Sequence, residues 1–255
     1  LGKKVKKPTL IVVNIGKNSA SELYIKNNRK AAKKIGINFF CYRFKENAKE
    51  KDIIEKIKKN NDYPSVQGII IQLPLPERFN TEKIINSINP KKDVDGFTEE
   101  NRRLLKKGKP YFLPVLPQAI LIALRASFKK VKNKKIIALV NSDIFGKTLE
   151  SFFEKKGIKI NYVLGKKIIG SKLKKADFII TVCGKPGLIK GEMIKKGAVL
   201  IDAGIKIFSG KIRGDVDRES VKGKAAFLTP VPGGIGPLTV ALLLDNVQKS
   251  SNIKT

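Results

Sequence analysis

The chain contains no histidine and no tryptophan, and cysteine occurs only at Cys41 and Cys183. Without an imidazole, every mechanism built on a histidine base is excluded. Two cysteines and no histidine also exclude a disulfide framework and a Cys/His zinc site, and this cysteine usage fits a cytoplasmic location. No apolar run approaches the roughly 20 residues that span a bilayer. The run "LIVVNIG" is short and broken by Asn14, so it suits a buried strand better than a signal peptide. The first residue is Leu, which reads as a chain whose natural start is missing.

Acidic residues are the other scarcity. There are 22 Asp and Glu against 53 Lys and Arg, a net charge of +31. Such a balance raises nucleic-acid binding as a reading. The lysines are spread along the whole chain, and no cluster interleaves aromatic with basic residues. A lysine-rich surface is therefore the preferred explanation, and any single Lys is weak evidence for a site.

What is present is an alternation. Short β-branched runs at 9–15, 38–44, 68–73, 136–140, 160–164, 178–183 and 198–204 read as strands. Helical patterns lie between and after them, at 21–35, 50–60, 81–88, 117–127, 146–156, 190–195 and 237–248. Apolar strands separated by helices predict an α/β chain with parallel sheets covered on both faces. The 255 residues suffice for one large domain or two modest ones. A Lys-, Gly- and Pro-rich stretch, "KKGKPYFLPVLP", marks a break near 105–117. The expected division is 1–115 with 237–255 as one domain and 116–236 as the other. Pro237 suits the first turn of the returning helix.

Four stretches could carry chemistry. In "IIIQLPLP", Gln72 ends a buried strand just ahead of Leu73 and two prolines, where ligands bind in parallel sheets; a strand-end cap is an equal reading. In "KKDVDGF", two acids precede a glycine. One carboxylate could fix the turn and the other hold a ligand, although a plain turn is the simpler reading. "TPVPGGIGPLT" packs Pro and Gly densely before a helix, which allows close backbone approach. "IIALVNSDIFGKTLE" is a strand, a loop and a helix without the G-x-G-x-x-G pattern, with Ser142 in the loop and Gly146 at the helix entrance. A fifth feature is the helix "SELYIKNNRK", where Tyr24 and Asn28 share a face.

Taken together, "S-x-x-Y", "QLPLP", "KDVDGF", "G-K-P", "IDAGI", "GDVD" and "TPVPGGIGP-x-T" occur in one order from about residue 8 to about 250. In this the chain resembles the bifunctional methylenetetrahydrofolate dehydrogenase/methenyltetrahydrofolate cyclohydrolase family, the FolD type. The resemblance implies an N-terminal three-layer α/β/α catalytic domain that takes in the last helix, and a Rossmann-type domain that binds NADP or NAD. It implies homodimers joined through the Rossmann domains, and a tetrahydrofolate derivative as substrate. The implied reaction oxidises 5,10-methylenetetrahydrofolate with NAD(P)+ and hydrolyses the methenyl product to 10-formyltetrahydrofolate. Neither step needs a metal.

Site residues follow from the same resemblance. Gln72 and Asp95 match a catalytic glutamine and the carboxylate that holds the pterin. Tyr24 and Leu73 match folate-lining positions, and Pro232, Gly233, Gly234 and Gly236 match a backbone wall. Asn141, Ser142, Gly146 and Ile205 match cofactor positions. Two departures stand out. Asn28 occupies the place of the family's proton-handling lysine, and Lys26 and Lys30 point elsewhere on the helix. The family's "G-R-S-x-x-V-G-x-P" is "V-N-S-D-I-F-G-K-T", where Val140 would crowd a pyrophosphate, Asp143 adds like charge, and Thr148 stands where Pro would start the helix. Lys147, Lys166 and Lys167 are candidate phosphate ligands. The expectation is a folate enzyme with a weakened cyclohydrolase step. The alternatives are a catalytically degenerate folate-binding or dimer-partner homologue and, from another class, a charge-driven nucleic-acid binder.

Overall fold

A computed structural model describes residues 7–127, 130–131, 133–165 and 170–250. The chain forms two compact units, Leu1–Val115 with Val240–Thr255, and Leu116–Thr239. Both are α/β, and both are built on parallel sheets.

The first unit centres on β1 (Thr9–Ile15), every residue of which is buried. That burial on both faces explains the unbroken apolar run. Helix α1 (Ser19–Lys34) follows, and Asn18 caps it by accepting from the Ser21 N–H at 3.0 Å. It leads to β2 (Asn38–Phe44), which pairs with one edge of β1. Helix α2 (Glu50–Asn61) then leads to β3 (Val66–Ile71) on the other edge. Two short helices complete this half, α3 (Thr81–Ile85) and α4 (Glu99–Lys106), with Thr98 capping α4.

The second unit opens with α5 (Val115–Ala126), whose first residue belongs to the first unit. It continues through β4 (Ile136–Val140), α6 (Asp143–Glu154), β5 (Ile160–Leu164), α7 (Gly170–Leu173), β6 (Phe178–Val182) and β7 (Val199–Asp202). A hairpin of β8 (Lys206–Phe208) and β9 (Lys211–Arg213) precedes α8 (Arg218–Val221) and β10 (Phe227–Leu228). The main sheet is parallel in the order β10-β7-β6-β4-β5.

The last helix, α9 (Ile235–Ser250), crosses the boundary at Val240 and returns to the first unit. Its Leu243, Leu244 and Val247 join Leu10 and Val12 of β1, Ile25 and Ala32 of α1, and Ile70 of β3 in one core. Gly68 permits the close approach. A methyl there would lie 2.9 Å from Val94 and 3.1 Å from Val247.

Several boundaries differ from the sequence expectations. The pattern at 190–195 forms only a 3-10 turn, Gly191–Met193, and 81–88 shortens to Thr81–Ile85. The strand expected at 198–204 ends at Asp202, whose side chain turns to capping backbone groups. Helix α6 begins at Asp143 rather than at 146, because Ser142 caps it. Helix α4 and the β8–β9 hairpin were not expected at all.

Candidate active site

The two acids of "KKDVDGF" have separate lives. Asp93 is 1% exposed and accepts four hydrogen bonds. They come from the Gly96 N–H at 3.0 Å, the Thr98 N–H at 2.7 Å, the Thr98 hydroxyl at 2.8 Å and Asn101 Nδ2 at 2.9 Å. Asp93 also forms a parallel bridge with Ile69, which hangs this turn on the outer edge of β3. Gly96 has φ +80°, and a methyl there would meet Pro114 Cα at 3.1 Å, so the turn requires glycine. Neighbouring Lys92 is buried and donates to the carbonyls of Asn61 and Tyr63 at the end of α2, a structural role.

Asp95 is half-buried, and no described residue donates a hydrogen bond to its carboxylate. Desolvation pushes its pKa up to about 7, and the nearby Asp93 carboxylate adds to the rise. A carboxyl freed of structural work, poised near neutrality at the end of a buried turn, is suited to a polar ligand.

Gln72 continues the β3 ladder by one bond, its N–H donating to the Val13 carbonyl at 2.8 Å. Its Nε2 reaches the Leu73 carbonyl at 3.4 Å, while its buried Oε1 accepts from no described residue. The Leu73–Pro74 bond is cis. On α1 the buried residues are Ser21, Ile25, Asn28 and Ala32. Asn28 is 0% exposed, with Nδ2 donating to the Tyr24 carbonyl at 2.9 Å and Oδ1 left without a donor among the described residues. Lys26 and Lys30 are exposed, and Tyr24 is half-buried.

In the second unit, Asp202 of "IDAGI" holds "GDVD", and Asp215 of "GDVD" in turn holds the end of β6. Asp202 accepts from the N–H groups of Gly204, Asp215 and Val216 at 3.0, 3.0 and 2.9 Å. Asp215 accepts from the Thr181 hydroxyl and from the N–H groups of Cys183 and Lys185 at 2.6–2.7 Å. Burial still pushes Asp202 up to about 6 and raises Asp215. The Cys183 thiol, half-buried beside Asp215, rises to about 11 and so stays protonated at neutral pH. These bonds fix the loop that carries Ile205. A methyl on Gly236 would lie 4.0 Å from the Ile205 side chain. In the loop before α9, Val231–Pro232 is cis, Gly233 has φ +103°, and Pro232 and Gly233 are exposed.

At the start of α6, Ser142 accepts from the Phe145 N–H at 3.3 Å, and Asn141 is exposed. Gly146 lies one turn inside the helix rather than at its entrance. A methyl there would come within 2.3 Å of the Tyr162 ring, so this glycine serves the packing of α6 on β5. Thr148 is also internal and bonds back to the Ile144 carbonyl at 2.8 Å. Val140 is fully buried in β4 instead of standing in the loop. Asp143 pairs with Lys147 and accepts from the Tyr162 hydroxyl, and both contacts hold its carboxyl below the usual range. Lys166 and Lys167 lie outside the described residues.

Comparison with known proteins decides the family. Residues 1–95 match the tetrahydrofolate dehydrogenase/cyclohydrolase catalytic domain, and residues 114–255 match the NAD(P)-binding domain of the same family. The chain belongs to the tetrahydrofolate dehydrogenase/cyclohydrolase family. It is 38% identical to the bifunctional protein FolD of a Wolbachia strain from Drosophila simulans, over 94% of this chain and 83% of that one. The FolD of Caldanaerobacter subterraneus is also 38% identical, over 94% and 86%. Among solved structures, the Campylobacter jejuni bifunctional FolD enzyme aligns at 35% identity and TM-score 0.84, covering 96% of this chain and 88% of that one. The Trypanosoma brucei enzyme, solved with NADP and an inhibitor, aligns at 28% identity and TM-score 0.87, covering 98% and 88%.

The entrance of α6 is the place in the second unit that could hold the diphosphate of a nicotinamide dinucleotide. It is a helix N-terminus directly after a parallel strand, with Asn141 exposed and Ser142 half-buried. Lys147 offsets the charge of Asp143. Among the described residues no group of His, Cys, Asp or Glu is arranged to hold a metal ion, and no helix is long and apolar enough to cross a membrane. Sequence reasoning missed Thr98 and Asn101, which immobilise Asp93, and the capping of Asp215 N–H by Asp202 and of the end of β6 by Asp215. The placement of acids beside glycines in "IDAG" and "RGDVD" was the available signal.

Proposed function

We propose that this chain oxidises 5,10-methylenetetrahydrofolate with NADP+ or NAD+ and hydrolyses the methenyl product slowly. The observation that carries the reading is the unengaged Asp95 carboxylate beside a turn into which, of the two acids, only the Asp93 carboxylate is bonded. In this reading Asp95 binds the pterin, Gln72 polarises the reacting end of the folate, and Tyr24 and Leu73 line it. Pro232, Gly233, Gly234 and Gly236 offer ligand-facing backbone. Asn141, Ser142 and Ile205 face the dinucleotide, which accepts the hydride when bound. The protein's part in that step is alignment of two bound molecules.

Hydrolysis asks for more. Water must lose a proton as it attacks, and N5 must gain one as it leaves. Asn28 has no titratable proton, and its amide is tied to the Tyr24 carbonyl. The cyclohydrolase step is therefore the slow one. The reading includes a homodimer joined through the second unit, which follows from the resemblance, and a cytoplasmic location, which the cysteine usage fits.

A coupled assay tests the function. Methylenetetrahydrofolate with each cofactor should give reduced nicotinamide, with methenyltetrahydrofolate accumulating before the formyl product. Absence of reduction with both cofactors would overturn the dehydrogenase. Hydrolysis far above the uncatalysed rate, lowered by Asn28→Ala, would overturn the assignment of a weak cyclohydrolase.

A further inference from the structure

A notch of about 260 Å³ opens at the amino-terminal ends of β1 and β2, lined by Lys7, Arg29, Lys33, Gly36, Asn38 and Phe39. Lys7 lies just ahead of β1. Asn38 is the first residue of β2, and its N–H donates to the Pro8 carbonyl at 2.8 Å. Gln72 follows the carboxyl end of β3 and bonds to Val13, near the other end of β1. Because these strands run parallel, the notch and Gln72 stand at opposite ends of the sheet.

Three cations line this one space, and no acid does. Among the described residues none of the three forms an ion pair, and the one acid of α1, Glu22, is already held by Arg43 and Asn14. Residues 1–6 contain no acid that could neutralise the notch. A helix C-terminus attracts cations to its unpaired carbonyls. Here, however, the Ala32 and Lys33 carbonyls accept from the N–H groups of Ile35, Gly36 and Ile37. Arg29 is fixed from another side. Its guanidinium lies over the Phe39 ring, 5.4 Å from the centroid, and that ring packs against the core of the first unit. Stacking leaves the in-plane N–H donors of a guanidinium free. Lys33 stands one turn further along the same helix face.

We propose that this notch is a binding site for a phosphate dianion, free or carried by a small organic ester. A fixed guanidinium offers a planar fork to two phosphate oxygens, and the two ammonium groups and the Asn38 amide offer further donors. Pockets that enclose drug-sized ligands run from roughly 300 to 1,000 Å³. The notch falls just below that range, so it admits a phosphate with a few carbons and excludes a dinucleotide. The end of α1 itself disfavours an anion, so binding depends on the cations acting together. The inference is independent of the folate reading. The site lies wholly within the first unit and stands whether or not the chain oxidises a folate.

The test follows the backbone amide resonances of the full chain during titration with sodium phosphate, against sodium chloride, at constant ionic strength. Phosphate should shift Lys33, Gly36 and Asn38 saturably, half-complete at about 1 mM or below. Chloride should not. These local shifts also separate the notch from phosphate taken up at the start of α6. Glycerol 3-phosphate distinguishes the two sources: tighter binding than that of phosphate assigns the site to an ester, and equal or weaker binding assigns it to the free anion. Arg29→Gln combined with Lys33→Gln should weaken phosphate binding at least tenfold. Lys30→Gln combined with Lys34→Gln removes the same charge from exposed positions of the same helix outside the notch, and should leave binding unchanged. Equal loss in both pairs would reduce the effect to net charge and overturn the proposal. Absence of a saturable shift in the unaltered chain overturns it as well. Should the first pair fail to fold, Asn38→Asp decides. This near-isosteric acid at an exposed position should weaken binding at least tenfold, and unchanged binding overturns the site.

Discussion

Gly204 and Asp215 occupy the same small volume: a methyl on Gly204 would lie 2.1 Å from the Asp215 carboxylate. The relation is mirrored, since a methyl on Gly214 would lie 2.1 Å from Asp202 Oδ2. Two buried acids are held by backbone N–H groups only because two glycines make room.

Gly204→Ala should therefore destabilise the chain by about 2 kcal/mol, the usual scale of overpacking. Gly236→Ala, with 4.0 Å to its nearest neighbour, should cost much less. Urea denaturation of both variants checks this, and equal midpoints would refute it.

The two acids of the β3 turn should separate by assay. Asp93→Ala removes the acceptor of four hydrogen bonds and should lower the melting temperature markedly. Asp95→Ala removes none, and should leave the melt near or above that of the unaltered chain while raising the KM for the folate about tenfold. The opposite pattern would reverse the roles assigned to them.

Stability should fall as pH rises through the mildly acidic range. Asp95 titrates near 3.8 unfolded and near 7 folded, so the folded state binds the extra proton between those values. A raised carboxyl pKa means that its cost is absent below the unfolded value and complete above the folded one. Asp202 and Asp215 act in the same direction. Asp95→Asn should melt about 3 °C or more above the unaltered chain at pH 8, a shift of roughly 1 kcal/mol in a protein of this size. Near pH 4 the difference should vanish. A constant difference across pH would show that ionisation is not its source.

Gly146→Ala tests the junction of α6 and β5. A methyl 2.3 Å from the Tyr162 ring forces the helix or the ring to move. Stability should drop, and the KM for the nicotinamide cofactor should rise as Ser142 and Asn141 shift with the helix. Adding Tyr162→Val should recover stability, because the smaller side chain vacates that space. Failure of the double variant to recover would place the strain elsewhere.

The central strands β1 and β4 were legible because they are buried on both faces, which leaves no polar alternation in "TLIVVNI" or "IIALV". Helix α4, "EENRRLLK", was not, since it buries only Asn101 and Leu105 and shows almost no apolar period. The β8–β9 hairpin turns on Ser209 and Gly210, both at positive φ, and a serine there is a poor advertisement for such a turn. Within the site, the spacing of "KDVDGF" showed two acids but could not say which one the turn consumes. That choice is made by Thr98 and Asn101, which lie in the following helix and its cap. The burial of Asn28 was equally hidden, because a polar residue on a core-facing stripe looks like a surface position until its neighbours Ile25 and Ala32 are seen packed.

The return of α9 to the first unit has a consequence for biosynthesis. The sheet of β1, β2 and β3 is made early, yet Leu243, Leu244 and Val247, which close its core, leave the ribosome only after the whole of the second unit. The middle of the chain has all its strands in hand before then, so it should fold first, with the opening segment waiting for the tail. A chain cut after Thr239 should show this frozen in place: a protease-resistant fragment from the middle, and an N-terminal stretch digested as if it had never folded.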